Sequence, residues 1–140
     1  MKRNEKLLYQ ANSVPSSLAL LFLVFNTCQT IFTLNGIDVA GVGIRVMEII
    51  LLNITLSFLV FVASSEIKRY SQLWSMITLI TGILQCLRYF IIPPVSSSEA
   101  FTRISVTLLL AGFVLIISSL MSIVKCGEYN HAKKEMQCRS

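Results

Sequence analysis

The chain has 140 residues, 54% of them hydrophobic and 14% charged, with a net charge of +5 and a mean hydropathy of +0.72. An ordinary soluble domain carries about 25% charged residues, so most soluble folds are excluded. Intrinsic disorder, which needs low hydrophobicity and high charge, is excluded too, and an integral membrane protein of one domain remains.

The charges leave four gaps, at 7–37, 49–65, 70–87 and 104–124, of 31, 17, 18 and 21 residues. A helix needs about 20 apolar residues to cross a hydrocarbon core of ~30 Å. The first and fourth gaps suffice alone. The second reaches that length by including Val46, Met47 and Glu48, the third by running past Arg88 to Ile92. Backbone polar groups in lipid must pair internally, so helices or a closed barrel are the options. The runs do not alternate as barrel strands do. The expected fold is an all-α antiparallel bundle of four transmembrane helices, near 14–34, 47–64, 73–92 and 104–124, forming one domain over 1–140.

Helix one follows a basic start of Lys2, Arg3 and Lys6. Its apolar run is longer than a signal-peptide core and no small-x-small cleavage site follows, so it reads as a retained span. Pro15 suits a first turn, where its missing N–H costs little. Asn35-Gly36 tolerates the left-handed conformation that ends many helices. Within the span lie Asn26, Thr27, Cys28, Gln29 and Thr30.

Helix two opens near Arg45 and Glu48 and carries Asn53, Thr55 and Ser57. Asn53-Ile54-Thr55 fits the glycosylation pattern, but its place inside a span hides it from a transferase. Ser71 is placed to cap helix three. That helix carries Ser75, Thr78, Gly82, Gln85 and Arg88 at spacings of three or four, which puts them on one face. Pro93-Pro94 stops it. Helix four offers Ala111, Gly112, Ser118, Ser119 and Ser122. A basic tail is expected over 125–140. Tyr70, Trp74 and Tyr89 fall near helix ends, as interfacial aromatics do.

Four spans put both termini on one side. That side holds nine of the twelve basic residues, the other only Arg45, Arg88 and Arg103. The positive-inside rule places the termini in the cytoplasm, in the plasma membrane by expectation. The basic face attracts anionic lipid. Nucleic acid is not an expected partner, because the basic residues are scattered around the spans.

Two constellations stand out. The first is the polar intramembrane face of Asn26, Gln29, Asn53, Ser75, Thr78 and Gln85. It reads either as a helix-packing surface, where small and polar residues join membrane helices, or as a polar path along helix three. The second is charged. Glu48 and Arg88 lie at similar depth on antiparallel helices, with Arg45 and Arg103 nearby. They read as an ion pair, or as a site where Arg45, Arg88 and Arg103 hold an anionic group such as a lipid phosphate.

No cofactor or metal is expected. His131 is the sole histidine. Cys126, His131 and Cys138 match no compact zinc spacing, and neither a Cys-x-x-Cys nor a phosphate-binding loop occurs. Cys126 is juxtamembrane and suits acylation. The expected function is therefore non-enzymatic: an accessory subunit, scaffold or homo-oligomer acting through helix–helix contacts with another membrane protein or itself. The alternative is a small oligomeric transporter or channel. A lipid-directed membrane enzyme ranks below both, for want of an acid, base or nucleophile set.

Overall fold

A computed structural model describes residues 10–37, 43–92 and 95–138. The described residues form four α-helices: α1 (Ser13–Gly36), α2 (Gly43–Lys68), α3 (Gln72–Leu87) and α4 (Ser98–Gln137). A 3-10 turn, Arg88–Ile91, continues α3. All four are long and apolar enough to cross a membrane. They pack as an antiparallel bundle in which α1 lies on α4 and α2, and α3 lies on α4. By contrast, α2 touches α3 only lightly and stands clear of α4 along most of its length.

Three helix ends differ from expectation for local reasons. Gly36 ends α1, but the next residue, Ile37, is extended, and Gly36 is not left-handed. Its small size serves a close approach instead, since a Cβ there would meet Ala100 Cβ at 3.0 Å. Ser71 stands at the N-cap of α3 without a side-chain capping bond; its carbonyl accepts both the Ser75 N–H and the Ser75 hydroxyl. Ile92 is extended, as residues before a proline tend to be. Pro93 and Pro94 themselves lie outside the described residues.

The largest difference is in α4. Ser97 caps it by accepting the Ala100 N–H at 3.1 Å, and Glu99 sits in its first turn, where the helix dipole favours an anion. The helix therefore starts at Ser98 rather than near 104. It also continues to Gln137, through the segment expected as a tail. Lys125, Glu128, Ala132, Lys133, Lys134, Glu135, Met136 and Gln137 are good helix formers, and no proline interrupts them. Forty residues make a rod of about 60 Å, about twice a hydrocarbon core.

The turn between α2 and α3 is a Schellman closure. The Ser71 N–H reaches the Glu66 carbonyl and the Tyr70 N–H reaches the Ile67 carbonyl. That closure puts Tyr70 at φ 59°, where glycine is usual and a bulky residue is strained. The tyrosine is held there by contacts. Its hydroxyl donates to the Gln10 carbonyl at 2.8 Å, and its ring stacks on Tyr129 with centroids 4.4 Å apart.

The core runs from mid-height toward the end of the bundle where the Asn12 N–H meets the Lys68 carbonyl. Ala19 and Phe22 of α1, Val60 and Ile67 of α2, and Ala111 and Leu115 of α4 form its buried apolar cluster. Beside it α3 and α4 cross at Gly82 and Gly112. A Cβ on Gly82 would meet the Gly112 carbonyl oxygen at 3.1 Å, and one on Gly112 would meet the Gly82 carbonyl oxygen at 3.1 Å and the Cys86 nitrogen at 3.2 Å.

Candidate functional site

The buried polar residues gather toward the two ends of the bundle, with Thr78 and Thr81 of α3 between them. Toward the Gly36 end of α1, the helical spacing of 26, 29, 30 and 33 aligns Asn26, Gln29, Thr30 and Thr33 on one face. Asn53 of α2 and Gln85 of α3 meet that face. Asn26, Gln29, Asn53 and Gln85 are each 3% exposed or less.

Their bonds form one connected network. Asn26 Nδ2 donates to Ser57 Oγ at 2.9 Å and to the Asn53 carbonyl at 3.1 Å. Asn53 Nδ2 donates to Thr30 Oγ1 at 2.7 Å and to Gln29 Oε1 at 3.2 Å. Gln29 Nε2 donates to Thr33 Oγ1 at 3.0 Å. Gln85 Nε2 reaches Asn26 Oδ1 at 3.5 Å. Buried amides in a low-dielectric interior are costly unless paired, and here each finds a partner on another helix or a neighbouring turn.

Arg88 closes the network. Its Nη1 donates to Asn53 Oδ1 and to Gln85 Oε1, both at 2.9 Å. Guanidinium carries five N–H donors, so Nε and Nη2 retain three. Arg88 also lines a cavity of about 490 Å³. Gln29, Thr33 and Glu48 are its other polar walls. Ile49 and Leu52 of α2 face Ile104 and Leu108 of α4 across it, with Ile91 and Ile92 at the end of α3. The cavity therefore fills the space left where α2 stands clear of α4.

The expected charged cluster is assembled differently. Glu48 and Arg88 share the cavity without forming an ion pair; the ion pairs among the described residues are Glu66–Arg69 and Glu99–Arg103. Helical side chains lean toward the N-terminus of their own helix. In antiparallel helices that carries Arg88 toward mid-membrane and Glu48 toward the bundle end, so they diverge. Arg103 is exposed on α4, paired with Glu99, and lines a separate, smaller cavity with Asn35, Ser96 and Ser97. Arg88 and Arg103 thus serve different surfaces. The Arg45 side chain lies outside the described residues.

The polar stripe of α3 also divides. Gln85 joins the network, but Thr78 is fully buried and returns its hydroxyl to the Trp74 carbonyl. Ser75 belongs to the opposite end of the bundle, where it shares a 2.6 Å hydrogen bond with Ser122. Asn12 Nδ2 reaches Ser122 Oγ at 3.4 Å, and Ser118 Oγ donates to the Pro15 carbonyl at 2.6 Å. Cys126 is buried against Ser75 and Ser122, which closes its sulfur to an acyltransferase. Burial and the nearby Cys126, Tyr129 and Glu128 push the Tyr70 phenol above its ordinary range.

Sequence reading missed Thr33 as a network member. Its position seven residues after Asn26 and four after Gln29 was the available signal. Asn12 was missed because it precedes the apolar run. Among the described residues, no group of three or more His, Cys, Asp and Glu side chains is placed to hold a metal. Comparisons with protein-family models, curated proteins and solved structures found no match to this chain.

Proposed function

We propose that the protein is a multi-pass membrane protein without catalytic chemistry, acting through helix–helix contacts as an accessory subunit, scaffold or homo-oligomer. The observation that carries this reading is the outward face of α2. Met47, Leu51, Ile54, Phe58 and Phe61 are spaced four, three, four and three residues apart, and each is between 59 and 69% exposed. That is the heptad spacing of a helix-pairing seam, on a helix that packs mainly against one neighbour within its own bundle. A second observation supports it. Asn26, Gln29, Asn53, Gln85 and Arg88 are engaged with one another in hydrogen bonds that join α1, α2 and α3, a use of polar residues typical of helix–helix association in membranes.

In this reading both termini face the cytoplasm of a plasma-membrane protein, and the basic ends contact anionic lipid. The partner is another membrane protein or a second copy of the chain. The alternative, an oligomeric transporter or channel, draws on the cavity that reaches Gln29, Glu48 and Arg88. Purification in mild detergent tests the choice. A stoichiometric partner or second copy is expected, lost on Leu51→Ala/Phe58→Ala and kept on Phe113→Ala, a lipid-exposed control on α4. A monomer with no partner contradicts the proposal.

A further inference from the structure

We propose that the cavity between α2 and α4 holds the headgroup of a zwitterionic aminophospholipid, its phosphate on Arg88, its ammonium group on Glu48 and its chains leaving between the two helices. This inference goes beyond the proposed helix–helix role and does not depend on it. Two opposite charges line one cavity of about 490 Å³ yet make no ion pair with each other. A ligand that carries both signs satisfies both.

The geometry sets the order of the charges. Arg88 Nη1 is tied to Asn53 Oδ1 and Gln85 Oε1, which fixes the guanidinium at the level of Asn53. The Nε–Nη2 edge is left to face a ligand, and this edge of a guanidinium matches the two oxygens of a phosphate. Glu48 lies five residues from Asn53 toward the Gly43 end of α2, about 7.5 Å along the helix. The anion is thus deep and the cation shallow, as in a phosphoethanolamine group entering from the leaflet at that end. The cavity is within the size of ordinary ligand sites, roughly 300–1,000 Å³. Leu52 and Ile91 at its edge are exposed, so the route for acyl chains is apolar and faces lipid.

Native mass spectrometry of the full chain in mild detergent tests the proposal, with phosphatidylethanolamine, phosphatidylglycerol and soluble glycerophosphoethanolamine as probes. One phosphatidylethanolamine is expected per chain, held in preference to phosphatidylglycerol. Glu48→Gln is expected to erase that preference. Arg88→Lys keeps the charge and loses the two-pronged edge, and should weaken binding about tenfold, the size of one charge-assisted hydrogen bond. Ile49→Trp fills the cavity without touching the polar network, so it should lower occupancy at least as much with an unchanged circular dichroism spectrum. Unchanged occupancy in Ile49→Trp overturns the site. Equal binding of the two lipids by the native chain overturns the zwitterion assignment. Binding of glycerophosphoethanolamine as tight as that of the lipid overturns the lipid source and assigns the cavity to a soluble zwitterion.

Discussion

Arg88 turns away from Glu48 and donates to Asn53 Oδ1 at 2.9 Å. A charge that sequence reasoning matched to a carboxylate is instead held by amides on two helices. This bond ties the end of α3 to the middle of α2, two helices that otherwise touch only lightly.

Replacing Asn53 with leucine should therefore do more than remove one bond. It strips an acceptor from Arg88 and a donor from Gln29 and Thr30, while the backbone carbonyl that accepts from Asn26 stays in place. Interhelical hydrogen bonds in membranes average about 0.6 kcal/mol, but a buried polar group left unpaired costs about 1–3 kcal/mol. Unfolding followed by steric trapping is expected to show a loss in that upper range. A double-mutant cycle with Arg88→Gln should show coupling.

Glu48→Gln is expected to change stability by less than about 0.5 kcal/mol, as surface substitutions usually do. Glu48 is exposed and has no ion-pair partner among the described residues, whereas Arg88→Gln removes a charged donor from two buried acceptors and should cost about 1.5–3 kcal/mol. The same unfolding measurement on both variants checks the contrast. Equal losses would restore the ion pair that the sequence first indicated.

At the α3–α4 crossing, Gly112→Ala places a methyl group against the Gly82 carbonyl, the Cys86 nitrogen and the Cys86 sulfur. Two of those atoms are backbone and cannot swing aside. A loss of about 1–3 kcal/mol is expected from the overpacking. Gly127→Ala on the same helix meets nothing within 4 Å. It should gain roughly 0.5–1 kcal/mol from helix propensity.

Tyr70 supplies a pH test. Its folded-state pKa is raised, chiefly by burial, so the folded chain holds the phenol proton longer than the unfolded chain does. The contribution is complete below the ordinary tyrosine pKa near 10. It is lost as the pH rises through the folded value. Absorbance titration near 295 nm, as tyrosinate forms, should show a late-ionising tyrosine that Tyr70→Phe removes.

The spans were legible because charge and hydropathy record cost in lipid directly: the gaps at 7–37, 49–65, 70–87 and 104–124 each fall within a helix or its immediate flanks. The meeting of Asn26, Gln29, Asn53 and Gln85 was legible as polar residues inside apolar runs, which must find one another. The extension of α4 to Gln137 was not, because Lys, Glu and Gln form good helix while reading as solvent-exposed tail. The partner of Arg88 was missed for a geometric reason. Matching depths on antiparallel helices fixes height, but the lean of each side chain along its own helix decides whom it meets.

The central claim is that the outward seam of α2 pairs with another helix. The direct measurement is disulfide or maleimide cross-linking in native membranes, with Phe58→Cys in a chain whose four native cysteines are replaced by serine. Phe113→Cys in the same background is the control. The account predicts efficient cross-linking at Phe58 to one defined species, with a mass that separates a second copy from a different protein, and little at Phe113. Equal, diffuse cross-linking at both positions would contradict it and leave α2 as an ordinary lipid-facing helix.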